Sequence, residues 1–272
     1  MELFSPGKIN LTLDVGRKRE DGYHEVETVM QTFDFGDVLC FHERRFGFEL
    51  NCTQAPSEEL FLIRRAYDLF CEELGSCPGV RIRLEKHLPM CSGLGGGSSN
   101  AAKVLLGLNK LYKAEFPKET LIRLASQIGS DVPFFLNGKR AVARGRGTQV
   151  QEIPHSSLGY ILLVNDNTKL HSQDVYEKTD EMEQEEPKTA KFIDALEKGQ
   201  SVVPYISNHL EKAAFVLAPN LQEIKEKLLN QGALTAHLCG SGGSMFGLFK
   251  TREEAAKAKL AFKEEFVYIL SI

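Results

Sequence analysis

Residues 93–99 read Gly-Leu-Gly-Gly-Gly-Ser-Ser. Val80, Ile82 and Leu84 alternate with polar residues before them, and Ala101, Val104, Leu105, Leu108 and Leu111 follow at helical spacing. A glycine run between a strand and a helix can hold an anion. The free N–H groups of the first helical turn and the positive end of the helix dipole converge on one place. Side chains would block close approach, which is a physical reason for glycine there. Two common versions do not fit. A P-loop needs lysine directly after the glycines, and none follows. A dinucleotide fingerprint needs GxGxxG on a first strand with an acidic residue about 20 positions on, and that pattern is missing. A plain turn with Ser98 or Ser99 as helix N-cap remains open.

The elements that must position this loop can be read from periodicity. Ile9, Leu11, Leu13 and Val15 alternate as in a strand. Residues 35–52 suggest several short strands with turns between them. Leu62, Ala66, Leu69 and Phe70 share one face of a helix. A second helix is expected over 119–128. The segment 129–147 reads as a loop followed by a strand. Residues 159–165 read as a buried strand, and helices are expected at 190–198, 208–217 and 220–230. Strands at 234–239 and 244–249 enclose a second glycine turn, residues 240–244, and a last helix is expected from Arg252 to Glu265. The acidic run at 180–188 reads as a solvated loop or frayed helix.

The chain has 272 residues, enough for one large domain or two halves at about 150 residues per domain. Its formal net charge of −4 argues against general nucleic-acid binding. No apolar run reaches the roughly 18 residues of a membrane span. The opening residues lack signal-peptide architecture, so a cytoplasmic location is expected. Six cysteines are scattered without a CxxC pair, as expected of reduced thiols. Seven dispersed histidines suggest no zinc site.

Four segments together resemble the GHMP kinases, the superfamily of galactokinase, homoserine kinase and the mevalonate kinases. "SPGKINLTLDV" at 5–15 resembles the first motif, with Pro6, Lys8 and Asn10 in place. The ATP motif is matched by Pro89, by Gly93, Leu94, Gly95, Gly96 and Gly97, and by Ser98, Ser99, Asn100 and Ala101. Cys91 and Ser92 stand where that family usually has glycine or alanine. "GSDVPFFLNG" at 129–138 resembles the segment that carries a catalytic aspartate, here Asp131. "LCGSGGSMFGLF" at 238–249 resembles the third motif, with Gly240, Ser241 and Gly242 at the nucleotide.

The resemblance implies an α+β, two-lobed fold with the active site between the lobes. One lobe would span 1–155 and the other 156–272. It implies Lys8 and Asp131 as the catalytic pair, Asp131 accepting a hydroxyl proton and Lys8 offsetting phosphate charge. It implies ATP as phosphate donor, with Mg²⁺ carried by phosphates and water rather than by a dedicated protein site.

"DGYHEVETV" at 21–29 narrows the branch. It resembles GHMP kinases whose acceptor carries a cytidine diphosphate and is phosphorylated on a 2-hydroxyl, in the non-mevalonate route to isoprenoid precursors. Tyr23 and His24 would then hold the base, one by stacking and one by hydrogen bonding. Tyr176 aligns with a tyrosine of that branch, and Asn10 would orient the substrate. Phe61 and Leu62 replace a pair found near adenine, and Arg144 and Arg146 would either hold diphosphate or lie on the surface. Two alternatives remain: a kinase of mevalonate or homoserine type, or a non-catalytic ligand-binding relative. The sequence does not give the oligomeric state.

Overall fold

The computed structural model describes residues 1–52, 57–183, 185–263 and 266–272. Two long strands, β1 (Glu2–Lys18) and β2 (His24–Arg44), pair antiparallel through most of their length. The expectation of several short strands over 35–52 is corrected in part: β2 runs unbroken to Arg44, and a separate short strand, Phe48–Asn51, follows a bend. Gly36 takes the place of a turn because its Cα lies against the Ser5 carbonyl: an added Cβ would stand 2.0 Å from that oxygen. The strand therefore runs through it. β1 changes register between Pro6 and Lys8 and again between Asn10 and Thr12. Such bulges bend a strand and re-aim its side chains, and these two bracket Lys8 and Asn10.

β3 (Phe48–Asn51), β4 (Gly79–Glu85), β5 (Arg140–Arg144) and β6 (Gln149–Glu152) complete the N-terminal part of this sheet. α1 (Ser57–Leu74), α2 (Gly96–Leu111), α3 (Lys118–Ile128) and the short α4 (Phe134–Asn137) cover one face. Phe41, Phe70, Leu105 and Phe135 sit in the core between helices and sheet.

The rest of the chain builds a second sheet in the order β11-β7-β10-β9. Its elements are β7 (Tyr160–Asn165), α5 (Ser172–Asp180), α6 (Thr189–Glu197), β8 (Ser207–Asn208), α7 (Glu211–Leu217), α8 (Asn220–Asn230), β9 (Thr235–Leu238), β10 (Ser244–Phe249), α9 (Arg252–Lys259) and β11 (Phe266–Ser271). β8 leaves this sheet and pairs parallel with β1. Ile9, Leu11 and Val29 of the first sheet share a core with Ile161, Leu163 and Phe246 of the second. Asp14 strengthens the join by accepting the backbone N–H of Lys188 and of Thr189, at 3.0 and 2.8 Å, where α6 begins.

Three expectations change. The last helix ends at Lys259, and β11 follows, pairing with β7. The expected end point Glu265 lies outside the described residues, as does Gln184 in the acidic run. Residues 172–180 form a helix that periodicity had not marked, since only Val175 on it is buried. Neither Ser98 nor Ser99 caps α2. Gly95 does so in a left-handed conformation (φ 73°), leaving both serines inside the first turn. The six cysteines are unbridged.

Candidate active site

β1 brings Lys8 to the centre of the molecule with its side chain 4% exposed. The ammonium donates to Asn10 Oδ1 at 2.7 Å and lies 3.3 Å from Asp131 Oδ2. Asn10 Nδ2 donates to Thr28 Oγ1 at 2.8 Å, and Thr28 in turn donates to the Thr12 carbonyl at 2.6 Å. This chain fixes the Asn10 amide with its oxygen toward the lysine. Asn10 therefore clamps Lys8 as well as facing the cavity. Asp131 sits in the turn between α3 and α4, anchored by the buried Phe134 and Phe135. It caps no helix, because Pro133 holds the N-cap position of α4.

Two cavities meet at this pair. One, of about 270 Å³, is lined by Lys8, Asp131, Cys91, Gly93, Gly95, Leu170, His171, Ser172, Ser241 and Gly242. The N-terminus of α2 opens toward it, so it offers N–H donors and positive potential to an anion. The other, of about 720 Å³, shares Lys8, Asp131, Ser172 and Ser241 and continues past Asn10, Thr28 and Ser98 to Tyr23, His24, Arg146 and Tyr176. A side lined by the glycine turns and an aromatic side thus flank one lysine–aspartate pair.

The two glycine turns touch. A Cβ on Gly93 would stand 1.8 Å from the Cys239 carbonyl oxygen and 2.6 Å from that of Gly242. One on Gly95 would meet Phe135 at 2.9 Å and Lys8 Cγ at 3.1 Å. Glycine at these positions lets backbone pack against backbone and against Lys8. Asn208 holds the second turn by donating to the carbonyls of Leu238 and Gly240, at 3.0 and 2.7 Å.

Several expected nucleotide contacts turn their side chains elsewhere. Ser92 bonds the Pro89 carbonyl at 2.7 Å, and Ser99 accepts from buried Ser5 at 2.8 Å. Asn100 donates to Asp37 at 2.9 Å, while Leu94 and Ala101 are wholly buried in the core. A side chain at Gly96 would point at Lys86, and one at Gly97 at Glu59. These residues shape the loop from behind, because a helix that starts at Gly96 sends half its first turn into the protein. Phe61 is 64% exposed on α1, and Leu62 packs against Gly97 outside both cavities.

Asp37 was not legible as part of this site. It is wholly buried and accepts from Lys86 Nζ, His87 N, Leu88 N and Asn100 Nδ2 at 2.7–2.9 Å. That fixes the chain just before the glycine loop and the helix just after it. The partners lie 49 to 63 residues away in sequence, so no local pattern reveals them.

On the aromatic side, Tyr23 is half exposed and the Arg146 guanidinium stands 5.2 Å from its ring centre. Arg146 is tethered by a bond to the Ser126 carbonyl. Arg144, by contrast, pairs with Glu27 at 2.6 Å and lines neither cavity. His24 is buried, bonds Asp180 Oδ1 through Nε2 at 2.7 Å and stacks on Tyr176 with ring centres 5.1 Å apart. Burial, and then the Asp131 carboxylate, push the Tyr176 phenol above its ordinary pKa, so it stays neutral. The polar segment 165–170 approaches the second glycine turn through Asn165, whose Nδ2 donates to the Gly243 carbonyl at 2.7 Å. Ser172, which the sequence reading did not single out, shares a 2.6 Å hydroxyl contact with the expected Ser241, and both line the two cavities.

The fold and site define a kinase class. The GHMP kinases N terminal domain pattern matches residues 62–139 and the GHMP kinases C terminal pattern residues 189–267. A 4-diphosphocytidyl-2-C-methyl-D-erythritol kinase of Syntrophomonas wolfei is 38% identical over 99% of this chain and 97% of its own. One of Caldanaerobacter subterraneus is 36% identical over 92% and 88%. A crystal structure of 4-(cytidine 5'-diphospho)-2C-methyl-D-erythritol kinase superposes with a TM-score of 0.84 at 35% identity, covering 100% of this chain and 98% of that one. A homoserine kinase from Cytophaga hutchinsonii shares the fold, with a TM-score of 0.78 at 19% identity. The chain belongs to the GHMP kinases and, within them, to the 4-diphosphocytidyl-2-C-methyl-D-erythritol kinase family.

Proposed function

We propose that the protein transfers the γ-phosphate of ATP to the 2-hydroxyl of 4-diphosphocytidyl-2-C-methyl-D-erythritol, in the non-mevalonate route to isoprenoid precursors. The observation that carries this reading is the Lys8–Asp131 pair, 3.3 Å apart at the junction of a phosphate-type and an aromatic cavity. Phosphoryl transfer needs mainly positioning and charge stabilisation. ATP phosphates would lie on the turn of Gly93 and Gly95 and on the start of α2, closed over by Gly240, Ser241 and Gly242. The acceptor hydroxyl would lie against Asp131, which takes its proton. Lys8 would offset the charge on the transferring group. The cytidine would enter the aromatic side, with Tyr23 and Tyr176 offering ring faces and His24 a polar edge. Arg146 would sit near the diphosphate.

Mg²⁺ is expected to come with ATP, held by phosphate and water, where it neutralises phosphate charge. Among the described residues no group of three or more His, Cys, Asp or Glu is arranged to hold a metal ion, and none of their helices is long and apolar enough to cross a membrane. We place the protein in the cytoplasm and the division between its lobes near residue 155, between β6 and β7.

The direct test is ATP consumption that depends on the cytidyl substrate, with the new phosphate located by NMR. Turnover of mevalonate or homoserine instead would replace this reading, and binding without turnover would make the protein a non-catalytic relative. Base recognition has its own test. Stacking on an aromatic ring contributes about 1–3 kcal/mol per base in nucleic-acid systems. Tyr23→Ala should raise KM for the cytidyl substrate roughly 5- to 150-fold, on that scale, with ATP affinity little changed. If ATP affinity falls instead, Tyr23 belongs to the other pocket.

A further inference from the structure

Asp180 is an odd residue at its position. It is the last residue of α5, where the helix dipole disfavours a carboxylate. It lies in an acidic run that reads as mere solvated surface. Yet its Oδ1 reaches across from α5 to bond Nε2 of His24, 156 residues earlier in the chain, at 2.7 Å. Its other oxygen is 4.0 Å from Lys18 Nζ. The aspartate is 42% exposed, whereas the imidazole it touches is 6% exposed.

A carboxylate has no proton to give, so the bond requires the proton on Nε2. In the neutral ring Nδ1 is then an acceptor. Among the described residues nothing bonds Nδ1, and the ring lines the aromatic cavity. Tyr176 lies nearly parallel to the imidazole, at 25°. A base bonded edge-on to Nδ1 would therefore extend the imidazole plane alongside the Tyr176 ring. Cytosine and uracil differ at the group on C4: an amine donates, a carbonyl only accepts. An acceptor Nδ1 attracts the first and repels the second in the same pose.

We propose that Asp180 is a positioning residue that fixes the His24 tautomer, so that the site reads a base amine rather than a base carbonyl. The proposal rests on the cytidine reading above and adds to it the origin of base selectivity. Asparagine at 180 can offer Nε2 either its oxygen or its amide N–H, so it no longer dictates the tautomer. Glutamate retains an acceptor.

Two measurements test this. The first needs no substrate: ¹H–¹⁵N spectra of histidine rings in the free enzyme, with His24 assigned through His24→Gln. The expected state is a neutral ring protonated on Nε2, and in Asp180→Asn the Nδ1-protonated form should appear. A wild-type His24 protonated on Nδ1, or on both nitrogens, overturns the proposal. The second compares CDP with UDP by calorimetry, since the two differ only in the base. Wild type should prefer CDP, and Asp180→Asn should reduce that preference by about 10-fold or more, as when a site loses a matched hydrogen bond. Asp180→Glu should restore most of it. In turnover, Asp180→Asn should raise KM for the cytidyl substrate and leave kcat nearly intact. An unchanged CDP/UDP ratio in Asp180→Asn overturns the proposal even if the variant is less stable. A wild type that uses no cytidyl alcohol overturns the functional reading, while the ring spectra still decide the Asp180–His24 pair.

Discussion

Asp131→Asn is expected to lower kcat by about 10² to 10⁴, the usual range for loss of a general base, while folding and ATP binding stay near normal. The side chain is 35% exposed and, among the described residues, makes its ion pair with Lys8 alone, so an isosteric amide should be accommodated. Asparagine cannot take the hydroxyl proton at neutral pH. Lys8→Met should also cut kcat, since it removes the cation between Asn10 and Asp131 and leaves Asn10 Oδ1 without its donor. On the proposed mechanism the two residues act on the same transferring group. The double variant should therefore lose much less than the product of the single losses. Steady-state rates for all four forms, with nucleotide binding measured separately by calorimetry, test the scheme. Near-normal kcat in Asp131→Asn would remove the aspartate as base and favour a dissociative transfer with proton loss to solvent.

Gly93→Ala should be the most damaging change in the nucleotide loop. The methyl group would stand 1.8 Å from the Cys239 carbonyl oxygen, just before the second glycine turn, and 2.6 Å from that of Gly242, and neither backbone oxygen can swing aside as a side chain could. The residue also has φ 77°, where an L side chain costs roughly 1–2 kcal/mol. Overpacking adds about 1–3 kcal/mol or more. Together these should lower Tm by about 10 °C, at roughly 2–4 °C per kcal/mol for a chain near this size. ATP-dependent turnover should be lost because the two turns can no longer close on one another. Gly96→Ala is the control. Its methyl would meet the tip of Lys86 at 2.9 Å, with Leu88 Cδ1 at 3.4 Å and Asp37 Oδ2 at 3.6 Å, so a small shift of one side-chain end relieves it, in a helical position that favours alanine. It should keep most of its stability and activity. Equal damage in the two variants would mean that the contact between the turns is unimportant.

The sequence by itself determined the class of protein and pointed to the segments where the proposed chemistry would lie. The glycine run, the Lys8 and Asp131 segments and the Tyr23–His24 pair are each local. Their meaning lies in residue types a few positions apart, which physical reasoning and family resemblance can both use. Helices with a strong apolar stripe were legible for the same reason: α3 and α8 bury leucines at regular spacing. α5 was not, since it rests on the fold mainly through Val175. β2 ran on through Gly36, within a stretch expected to break into short strands, because the Ser5 carbonyl lies against it. The tertiary structure alone decided which glycines face the cavity and which pack on Lys86 or Glu59. It alone separated Arg146, over Tyr23, from Arg144, on Glu27. Asp37 and Asp180 became meaningful only there as well. An ionised carboxylate takes its role from the donors around it, and these donors come from strands and helices far apart in the chain. Local sequence fixes which groups are available; the packing of β1, β2, α2 and α5 fixes which of them meet.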